Sequence, residues 1–258
     1  MRVENMKVIS NEILVSNVYE LVLEGQMVEE MSVPGQFVDI KVPREDLLLR
    51  RPISICQLDH EKNQVTLLIR ASGDGTRALC DVKVGETLDV LGPLGKGFPL
   101  DFLNKGQSAL LIGGGIGIPP LFELAKQLSL KGVKLTFVFG FQTKSAIFYL
   151  NEFKALGEVL ISTDDGSTGT KGTVETILNE TLKSVNPDAV YACGPKGLNR
   201  MVNLRYKDHP HAYLSLEERM ACGIGACAAC VCQKDDESDE NLKVCEDGPV
   251  FKSGEVLV

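Results

Sequence analysis

The feature that most constrains this chain is a cysteine pattern near its end. Cys222, Cys227 and Cys230 stand in the order C-x4-C-x2-C, and Cys245 follows after fourteen further residues. That is the plant-type order of thiolates for a [2Fe–2S] cluster, which needs four protein sulfurs. Three ligands on one short loop can wrap two irons only if the backbone turns tightly. Gly223 and Gly225 allow such a turn and let backbone N–H groups come close to sulfur. A structural zinc site offers two C-x2-C pairs or histidines; one such pair exists, and no histidine follows position 211. A disulfide framework suits small secreted chains, and buried inert thiols need no glycines between them. Cys232, two residues past Cys230, would share its strand face and is expected as a packed neighbour outside the ligand set.

A chain of 258 residues has room for one large or two ordinary domains plus a small appendage. Its 44% hydrophobic content is enough for real cores. Lys+Arg 27 against Asp+Glu 35 leaves a net charge of −8, which argues against a nucleic-acid or anionic-membrane surface. Met1–Lys7 lacks the apolar region of an export signal, and no run approaches a membrane span. Eight cysteines without such a signal point to reduced thiols and a cytoplasmic location.

The first hundred residues read as short β-branched or alternating segments: Glu12–Val15, Tyr19–Leu23, Gln36–Val42, Ile53–Leu58, Gln64–Ile69 and Thr87–Leu91. Turn residues separate them, so a small antiparallel Greek-key barrel is expected over 1–100. From about Ser108 short apolar strands alternate with helical stretches, among them Leu121–Leu130, Tyr149–Leu156, Val174–Leu182 and Lys196–Arg205. Such alternation means a parallel-sheet α/β domain, expected over 101–212. The cysteine-bearing piece, 213–258, is the third unit.

Two further stretches carry chemistry. The strand Ala109–Ile112 runs into Gly113-Gly114-Gly115-Ile116-Gly117-Ile118-Pro119-Pro120 and then a helix. Strand, glycine turn and helix N-terminus together make an anion site, because unpaired N–H groups and the helix dipole face the ligand. The run departs from G-x-G-x-x-G, and tight strand–helix packing is the alternative reading. In the barrel, Arg51-Pro52-Ile53-Ser54 offers a guanidinium and a hydroxyl for a phosphate and a ring edge, with a rim salt bridge as the alternative. Leu68-Ile69-Arg70 followed by Gly73-Asp74-Gly75-Thr76 is a second plausible anion cradle.

Arg51–Ser54, Gly75-Thr76, Gly92-Pro93-Leu94-Gly95, the Gly113–Pro120 turn and Cys193-Gly194-Pro195 follow the order seen in the ferredoxin-reductase-like flavoproteins. With the cysteine loop added, the chain resembles the electron-transfer subunits of type-B dihydroorotate dehydrogenases over essentially its whole length. The resemblance implies a barrel that binds FAD, an α/β domain that binds NAD, and a tail that binds the [2Fe–2S] cluster. By position, Arg51, Pro52, Ile53 and Ser54 would contact the flavin and its phosphates. Leu68, Ile69 and Arg70 would line the same ligand, and Gly75 and Thr76 would meet the pyrophosphate. Gly113, Gly115, Gly117, Gly194 and Pro195 would serve NAD, and Cys222, Cys227, Cys230 and Cys245 the irons. Cys193 would lie at the nicotinamide–flavin contact as a catalytic residue; a buried cysteine ending a strand is the alternative.

The resemblance also implies a relay in pyrimidine (UMP) biosynthesis. Electrons from dihydroorotate would pass from FMN in a separate catalytic subunit through the cluster and FAD to NAD⁺, in an assembly with two copies of each subunit. NAD⁺ takes only hydride and a cluster passes single electrons, so a flavin is needed between them. Asp164 and Asp165, after the strand Val159–Ser162, favour NAD over NADP, since carboxylates accept from a ribose 2′-OH and repel a 2′-phosphate. Small apolar Ile224, Ala226, Ala228 and Ala229 suit a close-packed partner interface. The acidic run Asp235–Glu240 is expected as a solvated hairpin tip and His209-Pro210-His211 as a turn. Competing functions are a reductase subunit serving ferredoxin, sulfite or hydrogen metabolism, and a non-enzymatic cluster- or flavin-binding sensor. Cys222 stands where some ferredoxin-linked relatives carry Asp, which favours the dihydroorotate assignment.

Overall fold

A computed structural model describes residues 1–258 with the exception of Glu237. Strands β1 (Arg2–Val15), β2 (Val18–Glu24), β3 (Phe37–Ile40), β4 (Arg51–Asp59), β5 (Gln64–Arg70) and β6 (Thr87–Leu94) close into an antiparallel barrel in the order β1-β2-β5-β4-β3-β6. Alternation decides which residues face inward. Met6, Val8, Leu21, Leu23, Val38, Ile40, Ile53, Ile55, Val65 and Leu67 fill the barrel, while their neighbours in sequence face out. The short helix α1 (Asp74–Cys80) closes one end through Leu79 and Cys80.

The second unit is a sheet of β7 (Ser108–Gly114), β8 (Lys134–Phe141), β9 (Glu158–Thr163), β10 (Thr170–Lys171), β11 (Ala189–Cys193) and β12 (Ala212–Ser215), all parallel where they pair. The strands β7, β8 and β11 are apolar on both faces, as a sheet covered on two sides requires. Helices α2 (Pro120–Leu130), α3 (Leu150–Lys154), α4 (Val174–Glu180) and α5 (Lys196–Arg205) supply the cover. The expected helix Tyr149–Leu156 is shorter, because Tyr149 takes a left-handed conformation (φ 56°) that fixes its start at Leu150, and the Leu156 and Gly157 N–H groups turn back to Phe153 O and close its end. The sheet runs β10-β9-β8-β7-β11-β12, so its order reverses direction between β7 and β11.

The third unit carries the hairpin β13 (Val231–Gln233) and β14 (Asn241–Lys243), then β15 (Val250–Lys252). β15 pairs antiparallel with β12 and becomes the edge strand of the α/β sheet. Buried amides fasten this return. Asn203 of α5 donates to Val256 O and accepts from Gly254 N–H, and Asn199 donates to Ser215 O. Barrel and sheet are also joined. The buried carboxylate of Glu123 on α2 accepts the Leu58 N–H of β4 at 3.1 Å and pairs with Lys126 at the same distance. Removing one partner of a buried hydrogen bond of this kind costs roughly 1–3 kcal/mol. No described helix is long and apolar enough to cross a membrane.

Candidate functional site

A cavity of about 250 Å³ opens where the three units meet. On the barrel side its wall is Phe37 of β3, Pro52, Ile53 and Ser54 of β4, Leu68, Ile69 and Arg70 of β5, and Thr76 of α1. Ile116 and Pro119 of the glycine turn supply a second wall, and Ser215, Glu217, Glu218 and Met220 a third. The two barrel motifs, separated in sequence, meet in space. Arg51 lies over Gly75 so closely that a Cβ built on Gly75 would stand 2.2 Å from Arg51 Nε. The Thr76 hydroxyl accepts the Ser72 and Gly73 N–H groups and holds the turn shut. A guanidinium above the first N–H groups of a helix is an arrangement that can hold a phosphate.

The glycine turn and the Cys193-Gly194-Pro195 turn abut at the carboxyl ends of β7 and β11, where the strand order reverses. A Cβ on Gly117 would be 2.6 Å from Cys193 O, so only glycine lets the two turns touch. Crevices outside such a reversal are where open α/β sheets bind ligands. Gly115 adopts φ 50° and also needs the freedom of glycine. Gly113, Gly115, Gly117, Gly194 and Pro195 border this crevice and are not on the wall of the 250 Å³ cavity.

Beyond Met220 the same segment becomes the cysteine loop. Gly223 and Gly225 take φ 68° and 79°, bending the loop back on itself. Cys227 N–H donates to Cys222 Sγ at 3.3 Å and Gly225 N–H to Cys245 Sγ at 3.1 Å, while Cys230 and Cys245 Sγ are 3.3 Å apart. The Ile224 N–H, then those of Cys227 and Ala226, draw the Cys222 thiol down to about 7, so the turn favours thiolate. A two-iron cluster takes two thiolates on each iron, and the close Cys230–Cys245 pair, with Cys222 accepting the Cys227 N–H, suits that division. Burial pushes the Cys232 thiol up to about 11, and its Sγ approaches Leu242 O at 3.6 Å, as a packed neutral neighbour does.

Comparison with known proteins agrees unit by unit. Family models match for an oxidoreductase FAD-binding domain at 2–98, an oxidoreductase NAD-binding domain at 111–203, and the iron-sulfur cluster binding domain of dihydroorotate dehydrogenase B at 217–257. The dihydroorotate dehydrogenase B (NAD(+)) electron transfer subunit of Enterococcus faecalis is 52% identical over 258 residues, covering 99% of this chain and 98% of that one. The subunit of the same name from a Geobacillus species is 52% identical over 259 residues, all of both chains. The chain belongs to the dihydroorotate dehydrogenase B electron transfer subunits. Among solved structures, the NADH-dependent reduced ferredoxin-NADP oxidoreductase is similar at a TM-score of 0.85 and 28% identity, over 98% of this chain and 90% of that one. The Amycolatopsis cytochrome P450 reductase GcoB shares the fold, at a TM-score of 0.70 and 18% identity over 82% of this chain and 69% of that one.

As a member of this family the chain has an FAD-binding, an NAD-binding and an iron–sulfur domain, and some of its cavity residues have no sequence signal of their own. Glu217 is an exposed residue on the cavity wall, its carboxyl crowded by the surrounding protein. Burial raises its carboxyl pKa, and Arg70 opposes that rise. Cys193 is buried, is not on the cavity wall, and hydrogen-bonds Ser215, which is. Burial pushes its thiol well up, so it is held neutral. Phe37 belongs to a stretch that reads in sequence only as a strand, and Ser215 to the start of the cysteine-bearing piece. A separate cleft of about 350 Å³ lies at the other end of the sheet, lined by Phe102, Asp188, His209 and His211 among others. His209 accepts the His211 N–H and hydrogen-bonds Pro187 O, as expected of a turn rather than a metal pair. The acidic run connects β13 to β14 as expected, although Glu237 within it lies outside the described residues.

Proposed function

We propose that this chain carries electrons released from dihydroorotate, in a separate FMN-containing catalytic subunit, through a [2Fe–2S] cluster and FAD to NAD⁺. The observation that carries this reading is the continuity of one segment. From β12 in the α/β sheet the chain passes Ser215–Met220 on the cavity wall and reaches Cys222 two residues later. Nicotinamide crevice, flavin cavity and cluster loop are thereby held in one frame. FAD supplies the exchange between single electrons and hydride.

The chain's own residues bind and orient. Cys222, Cys227, Cys230 and Cys245 hold the cluster. Pro52, Ile53, Ser54, Leu68, Ile69 and Arg70 hold the flavin ring, and Arg51, Gly75 and Thr76 its phosphates. Gly113, Gly115, Gly117, Gly194 and Pro195 receive NAD, while Cys193 positions Ser215 and Glu217 faces the reacting edge. The exposed carboxylates Asp164 and Asp165, beyond the carboxyl end of β9, support NAD over NADP. Three functional units at 1–100, 101–212 and 213–258, two copies of each subunit, and a cytoplasmic setting consistent with free thiols complete the reading. Ile224, Ala226, Ala228 and Ala229 are all exposed around the cluster and form the face for the catalytic subunit.

The test is co-purification with the catalytic subunit, followed by flavin, iron and sulfide analysis and an assay of dihydroorotate-driven reduction of NAD⁺ and NADP⁺. Activity with NAD⁺ that requires both subunits supports the reading. A flavin- and cluster-loaded protein that couples only to ferredoxin would replace it.

A further inference from the structure

Strand β3 contains one polar residue among apolar ones. Val38 and Ile40 point into the barrel core, so Phe37 and Asp39 occupy the outer face. Cross-strand pairing puts Phe37 opposite Ser54 and Asp39 opposite Pro52, and Phe37, Pro52 and Ser54 all line the flavin cavity. Asp39 therefore lies behind that wall, paired with its residue Pro52, without lining the cavity itself. On its other side is the cluster loop: a Cβ built on Gly223 would stand 2.7 Å from Asp39 Oδ2, and Gly223 follows the ligand Cys222. The carboxylate is 1% exposed and lies between the two cofactor sites.

Its surroundings do not explain it as a structural residue. Asp39 Oδ1 is buried without a hydrogen-bond partner. Arg50 donates to the Asp39 carbonyl and to the carboxylate of Asp89, and Arg51 donates to the carbonyls of Leu49 and Arg50. Both arginines lower the Asp39 pKa, yet burial outweighs them and lifts it to about 6. An unsatisfied buried carboxylate costs free energy that an apolar residue would avoid, and such a group in a folded protein calls for an explanation.

We infer that Asp39 is a positioning residue for electron transfer, whose buried negative charge beside the cluster loop lowers the cluster's reduction potential and favours delivery to the flavin. This rests on the cluster assignment above. A charge added to the cluster on reduction is opposed by a neighbouring carboxylate, and the opposition is stronger in a site shielded from water than in solvent.

The experiment is a redox titration, followed by EPR, of the full-length protein loaded with flavin and cluster, comparing native, Asp39→Asn and Asp39→Glu. Asn is expected to raise the cluster potential by about tenfold in the one-electron equilibrium constant, or about 59 mV, with unchanged iron content and EPR line shape. Glu, which keeps the charge, is expected near the native value. Asp39→Leu carries the same test if the amide prevents folding. An unshifted potential in a cluster-loaded neutral variant overturns the inference while leaving the cluster reading intact. So does a neutral variant that keeps its flavin but cannot load iron, since Asp39 then serves assembly. A native protein that takes up no cluster overturns the reading beneath it as well.

Discussion

The proposed cluster loop draws its four cysteines from the stretch between Cys222 and Cys245, whereas the proposed flavin cavity takes its walls from β3, β4, β5, the glycine turn and the segment after β12. One is a local object whose ligands are fixed by spacing and two left-handed glycines. The other exists only because a barrel and a parallel sheet dock, through a shared apolar cluster and contacts such as Glu123 and Lys126 with Leu58. The difference predicts two kinds of sensitivity. Ligand changes in the loop act on one cofactor, while changes in the cavity act through whichever domain contact they disturb.

The largest separation should come from Cys227→Ser. Iron and sulfide are expected to fall from about two each per chain to near zero, abolishing dihydroorotate-to-NAD⁺ transfer while flavin content and NADH-driven dye reduction persist. Simultaneous loss of flavin would show that the two sites are not independent. Next is Gly75→Val, beside the cavity residue Thr76. Its side chain enters the space of Arg51, and overpacking of about 1–3 kcal/mol is expected to weaken FAD binding roughly tenfold to a hundredfold, read by flavin fluorescence. Unchanged affinity would remove Arg51 and Gly75 from the flavin site.

Glu217→Gln refines the same side of the comparison. The expected outcome is a drop of about tenfold in kcat for NADH-driven dye reduction, below the roughly 10²–10⁴-fold that a full general acid or base supplies, with flavin and iron content unchanged. Because burial raises the carboxyl, the acid limb of the native pH profile should lie above the ordinary carboxylate range and vanish in the variant. An identical limb in both would assign it to another group. Ala228→Glu should have the smallest effect on the isolated chain: both cofactors stay, and only co-purification with the catalytic subunit weakens. Undiminished co-purification would move the partner face elsewhere.

The same contrast explains what the sequence disclosed. Barrel strands and α/β alternation are periodic signals, and the cysteine loop is a spacing signal, so all three were legible. Arg51 and Gly75 were each visible without any sign that they touch. Glu217 and Ser215 were read as part of the cysteine-bearing piece, because nothing local says that their segment borders the flavin cavity before it reaches Cys222. The return of β15 to pair with β12, and the burial of Asp39 against Gly223, are likewise long-range facts. They depend on packing between units rather than on any residue's neighbours in sequence.

The most direct test is anaerobic titration of the purified full-length chain with NADH, followed by visible absorbance and EPR together. Flavin bleaching is expected and, in the same sample, a reduced [2Fe–2S] signal carried by about two irons per chain. A protein whose flavin bleaches without any cluster signal despite full iron content, or one that holds no flavin, would contradict it.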